Sequence, residues 1–242
     1  MEYPSKRKLE ELSSLYKNRK FNAVITECLS LIDLFPKYYN LYNIIGASYT
    51  SLGKYDNAID YYQKSIKIKP EYPETFNNLG NVFRYKKNLD KAILYYKKAL
   101  KYKPNFAEVY INLAVTYRLL GDLKKSLSSC EKSIKINPSL SAAYNNIGVV
   151  LMELGDLDGS IKSLKKAISM SSEEPSYYNN LGNTLRSNNN ITEARKNYQK
   201  AILINPNYTL SLWNLSGTEK EISKANDWLN KCLKVDSNHD ES

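Results

Sequence analysis

The segment PETFNNLGNVFRYKKNLDKAILYYKKALKYKPNF, residues 73–106, decides the fold, because the chain repeats its plan at a constant interval. Its Pro104 belongs to the series Pro36, Pro70, Pro104, Pro138 and Pro206, with Ser172 in the one empty place, and every step is 34 residues. Its Gly80 belongs to a second series with the same step, Gly46, Gly80, Ala114, Gly148, Gly182 and Ser216. An aliphatic residue precedes each member, from Ile45 and Leu79 through Leu113, Ile147 and Leu181 to Leu215.

Numbering each unit from one, with Tyr39 opening the first regular unit, places large apolar residues at four, seven and eleven beside the small residue at eight. In the quoted unit these are Phe76, Leu79, Phe83 and Gly80, and Ala92, Tyr96 and Ala99 follow at twenty, twenty-four and twenty-seven. Spacings of three and four put each set on one stripe of an α-helix. Small residues where helices cross let the backbones approach, and the large residues fill the space beside them. Gly53, Gly121 and Gly155 mark the turn inside a unit, and the proline stops the second helix. Each unit therefore reads as a helical hairpin whose apolar face only a neighbouring hairpin can cover.

A 34-residue period with two helical stripes resembles the tetratricopeptide-repeat family. The resemblance implies an all-α, right-handed superhelical solenoid of about seven hairpins that holds a partner and performs no catalysis. Residues 39–208 read as five regular repeats, and 5–38 as a degenerate first repeat with Leu12 in the small slot. Residues 209–236 read as a shortened last repeat or cap, and 237–242 as a disordered polar tail.

Composition agrees with a binding role. The net charge is +10, which admits acidic peptides, nucleic acid or an anionic membrane surface as partners. Cys28, Cys130 and Cys232 have no paired spacing, so neither a disulfide framework nor a zinc site is expected, and a reducing intracellular setting, cytoplasmic or nuclear, fits. Residues 1–12 carry charges throughout, unlike a secretory signal, and no stretch is apolar enough to span a bilayer. The single histidine, His239, lies in the tail, so His-based nucleophilic or zinc arrangements have no partner for their chemistry. No phosphate-binding or dinucleotide glycine motif is present, so no cofactor is expected.

The candidate binding residues form columns on the first helices. Position six holds Asn78, Asn112, Asn146, Asn180 and Asn214, with Ile44 breaking the series before them. An asparagine ladder can pair with the peptide groups of an extended chain of any sequence, because each amide both donates and accepts. The column resembles the asparagine ladder of O-GlcNAc transferases, where the resemblance implies contacts to a substrate backbone. The plainer alternative is a row of solvated, family-typical amides, and on either reading alanine at Asn112, Asn146 and Asn180 is expected to leave stability nearly unchanged. Asn81 and Asn183 at position nine and Arg84, Arg118 and Arg186 at position twelve, with Lys220 below them, would suit an acidic or phosphorylated segment. Trp213 at position five of the last unit has two readings, a binding anchor and, favoured, packing against the irregular final helix.

Position five is never lysine, which argues against the chaperone-tail carboxylate clamp found in other tetratricopeptide proteins. Lys64, Lys98, Lys132, Lys166 and Lys200 at position twenty-six make a basic ridge away from the groove, without the arginine and aromatic interleaving that base stacking needs. Three functions follow: an adaptor for an extended peptide, the recognition arm of an O-GlcNAc transferase-like enzyme, or a basic scaffold for RNA or anionic membrane. The first is favoured, a nucleic-acid partner is disfavoured, and a homo-oligomer stays open.

Overall fold

The computed structural model describes residues 3–219 and 221–240, the stretch 236–240 by its backbone alone. All regular structure among the described residues is helical. The first helices are α1 (Lys6–Lys17), α3 (Tyr39–Ser51), α5 (Pro73–Tyr85), α7 (Ala107–Leu119), α9 (Ser141–Glu153), α11 (Pro175–Ser187) and α13 (Thr209–Ser216). The second helices are α2 (Phe21–Leu34), α4 (Tyr55–Ile68), α6 (Leu89–Tyr102), α8 (Leu123–Ile136), α10 (Leu157–Met170), α12 (Ile191–Ile204) and α14 (Ile222–Asp240). The chain divides into two compact units, Met1–Leu120 and Gly121–Ser242, with the boundary in the turn after α7.

The turns obey one geometry. Gly53, Gly121 and Gly155 have φ of 71, 78 and 85°, and Arg19, Lys87 and Asn189, at the same register, have 58, 59 and 61°. A left-handed residue therefore reverses the chain in six successive hairpins, at a cost wherever it carries a side chain. One residue later, Asn88, Asp122, Asp156 and Asn190 cap the second helices by accepting from the backbone N–H three residues on.

Inside the hairpins the small residue at eight meets the large residue at twenty-four. A Cβ built on Gly46, Gly80 or Gly182 would lie 2.6, 2.4 or 2.5 Å from Cε1 of Tyr62, Tyr96 or Tyr198, and one on Gly148 would lie 2.5 Å from Leu164 Cγ. The first hairpin inverts the pair: Leu12 is the large member and Cys28 the small one, both buried in one cluster. What reads in sequence as degeneracy is thus an exchange of the large and small members between the two helices.

The C-terminal hairpin departs from the others. α13 is eight residues long, Cys232 of α14 is buried, and Trp228 and Val235 pack against the same core cluster. The tail expected from residue 237 begins inside α14, whose backbone runs to Asp240, because no glycine or proline there interrupts the helix. The rest of that tail, residues 241–242, lies outside the described residues, as do Lys220 and the side chain of His239.

Gly80→Ala should lower the unfolding free energy by about 1–3 kcal/mol, since the added methyl has no room beside Tyr96. Chemical denaturation should show a lower midpoint with an unchanged slope. An unchanged midpoint would refute the crossing contact.

Candidate interaction surface

The first helices present the asparagine column, and the structure shows what orients it. In Met1–Leu120, Asn78 Nδ2 donates to Asn43 Oδ1 at 3.3 Å and Asn112 Nδ2 to Asn77 Oδ1 at 2.9 Å. In Gly121–Ser242, Asn180 Nδ2 donates to Asn145 Oδ1 and Asn214 Nδ2 to Asn179 Oδ1, both at 2.9 Å. Each bond joins position six of one repeat to position five of the repeat before. Asn43 Oδ1 also accepts from the Thr75 hydroxyl at 3.2 Å, and Asn179 Oδ1 from Ser211 at 3.0 Å. The position-five oxygen is therefore a fixed acceptor, and it clamps the amide above it. Each clamped amide retains its own carbonyl oxygen and a second N–H.

These four residues are half-buried and bonded, so they are not a row of independent solvated amides. Asn146 is half-buried on α9, and its counterpart one repeat earlier is Ile111, which offers no amide. Position five is the part of the surface that sequence reasoning passed over. Its signal was present as a second asparagine column, Asn43, Asn77, Asn145 and Asn179, each one residue before a member of the six-series or its broken place.

Asn81 and Asn183 serve the interior. Asn81 Oδ1 accepts from the Tyr96 hydroxyl at 2.8 Å, and Asn183 Oδ1 from the Tyr198 hydroxyl at 2.9 Å. Tyr62, lacking an asparagine at that register, meets the Thr50 hydroxyl at 3.4 Å. Burial pushes the ionisation of all three tyrosines up. Where Leu164 replaces tyrosine, position nine is Val149, so donor and acceptor disappear together.

The arginines are not equivalent. The Arg84 guanidinium lies 4.8 Å over the Tyr85 ring and beside the Tyr96 hydroxyl, and its Nε is buried without a partner. Arg118 is half-buried at the end of α7, whereas Arg186 is exposed at the end of α11. Of these three arginines, Arg186 is the most open to a partner's carboxylate.

The Met1–Leu120 unit also encloses a cleft of about 510 Å³, lined by first helices alone. Leu9 and Tyr16 of α1 and Ile44 and Ala47 of α3 give it apolar walls, and Asn43 and Asn78 close one side. Ile44, which breaks the asparagine series, here supplies an apolar surface next to the first clamped amide.

Trp213 corrects an expectation. It is 64% exposed rather than packed on the final helix. In the preceding repeats a position-five side chain is covered by positions three and six of the next first helix, as Ser211 and Asn214 cover Asn179. No described first helix follows α13 to cover Trp213.

Family models described as tetratricopeptide repeat match residues 73–106, 107–140 and 175–208, and models described as TPR repeat match 46–83 and 150–186. The chain belongs to the tetratricopeptide-repeat family, whose proteins mediate protein–protein interactions on a scaffold that is typically non-catalytic. A chain of the APC/C hetero-tetramer Cut9–Hcn1 is similar, with a TM-score of 0.82 at 19% identity over 94% of this chain. This chain spans 46% of that one's length. Also similar are TTC0263 of Thermus thermophilus, with a TM-score of 0.64 at 21% identity over 81% of this chain and 99% of its own, and YrrB, described as a TPR protein with an unusual peptide-binding site, with 0.54 at 20% over 76% and 95%. These likenesses show the fold. No curated protein sequence matches the chain. No described helix is long and apolar enough to cross a membrane.

Asn180→Ala should lower stability by about 0.5–1.5 kcal/mol, because it leaves the Asn145 oxygen without its donor. Asn146→Ala, which removes no such bond, should be close to neutral by the same thermal or chemical unfolding measurement.

Proposed function

We propose that this chain is an interaction scaffold whose first helices receive an extended segment of a partner protein. The observation that carries the reading is the cleft where Leu9, Tyr16 and Ile44 adjoin the Asn43–Asn78 pair. An apolar side chain of the partner would enter the cleft, while its peptide groups meet the free halves of the clamped amides. The clamps fix those amides before binding, so their rotamer entropy is not lost again when the partner arrives. In the Gly121–Ser242 unit, exposed Arg186 would pair with an acidic residue of a bound segment. YrrB, similar in fold, is described as having a peptide-binding site, which makes the same use of this fold reasonable here. The alternative of a recognition arm for an O-GlcNAc transferase-like enzyme rests on the asparagine column alone.

Ile44→Arg should fill the cleft with a solvated cation at little cost to folding, because Ile44 is only half-buried. Partner capture by the full chain should fall at least about tenfold, equivalent to ~1.4 kcal/mol, with the melting transition nearly in place. Capture at wild-type strength by the folded variant would dismiss this reading.

A further inference from the structure

A second opening lies on the other helices of the Met1–Leu120 unit. Between α2 and α4 a cleft of about 480 Å³ is bounded by Leu29, Ile32, Tyr42, Tyr61 and Ile68, with Lys64 and Lys67 at its rim. None of its lining residues is acidic. Neither lysine is in an ion pair among the described residues, and both are exposed. Leu29 remains 41% exposed at the mouth.

The chain itself shows how packing would close such an opening. One repeat later, Tyr42, Tyr61 and Ile68 become Phe76, Tyr95 and Tyr102. There Phe76 stacks on Tyr102 at 5.6 Å between centroids and on Tyr95 at 6.5 Å, so the added aromatic ring occupies the corresponding space. The lysine pair is kept as Lys98 and Lys101, but Leu29 becomes Gln63. The opening thus exists because isoleucine stands where the next repeat has tyrosine, and the repeat before the isoleucine's own places an exposed leucine at its mouth.

We propose that this cleft on the second helices binds an acidic, amphipathic segment of a protein partner, separately from the first-helix surface. A leucine- or phenylalanine-sized side chain would fill the apolar floor. Carboxylates beside it would pair with Lys64 and Lys67, which stand three apart on one face of α4. The ligand chemistry follows from the lining. The Tyr42 hydroxyl is satisfied, donating to Pro36 O at 2.9 Å, so it adds no polar demand. The Lys64 ammonium sits 4.5 Å over the Tyr61 ring and occupies the face on which a nucleic-acid base would stack. A recess also suits an inserted side chain better than the flat surface of a bilayer.

A phage-displayed library of random peptides, panned on the full chain with the Ile68→Tyr variant as counter-target, tests the proposal. Ile68→Tyr copies the packing of the next repeat, so it should fold while lacking the cleft. Clones retained by the wild type and lost on Ile68→Tyr should carry aspartate or glutamate beside leucine or phenylalanine. A labelled peptide from such a clone should bind at least about tenfold more weakly to Lys64→Glu/Lys67→Glu by fluorescence anisotropy, and equally well to Ile44→Arg. The proposal is overturned if no clone distinguishes wild type from Ile68→Tyr, if the distinguishing clones lack acidic residues, or if the double charge reversal leaves affinity intact.

Discussion

The contact between position eight and position twenty-four governs this molecule. Gly46, Gly80 and Gly182 have no side chain because Tyr62, Tyr96 and Tyr198 lie where one would go. That contact sets how closely the two helices of a hairpin approach. A close crossing in turn buries the tyrosine, and a buried hydroxyl must find an acceptor or cost about 1–3 kcal/mol. Asn81 and Asn183 supply it in two hairpins and Thr50 in a third. Leu164 needs none and has Val149 at the matching place. Sterics and hydrogen bonding are therefore satisfied together, hairpin by hairpin.

The same register acts between hairpins. Because successive first helices begin 34 residues apart, position six of one stands beside position five of the last, and two amides meet. The resulting Asn–Asn bonds of 2.9–3.3 Å tie each first helix to the one before. They hold neighbouring helices in step, and they aim the remaining amide groups. A row of asparagines thus gains direction that single solvated residues would lack.

Much of the fold was legible because hydrophobic and steric constraints repeat with the chain. The period located the hairpins, and the stripes at seven and eight located part of the core. Positions four and eleven are half-buried in most repeats, whereas the fully buried positions three and ten, such as Leu41 and Ser48, were not singled out. Compensations were harder to read. Leu12 looked misplaced until Cys28, its small partner, was seen to be buried in the same cluster. The position-five asparagines carried no message alone, since their role appears only when position six of the next repeat is brought alongside. Asn81 and Asn183 looked like surface ligands because sequence does not reveal that a tyrosine hydroxyl fifteen residues on reaches back to them. Trp213 looked like core because aromatic residues usually are, yet it is 64% exposed on α13. The opening beside Ile68 became visible only by comparing what fills the same space one repeat later.

Repeat register thus acts through paired amides that hold and orient one another across successive first helices. A double-mutant cycle on Asn145 and Asn180, read by chemical denaturation, tests it most directly. The expected result is a favourable coupling of about 0.5–1.5 kcal/mol between the two alanine substitutions. Strictly additive losses would contradict it, leaving the asparagines as neighbours that do not hold one another.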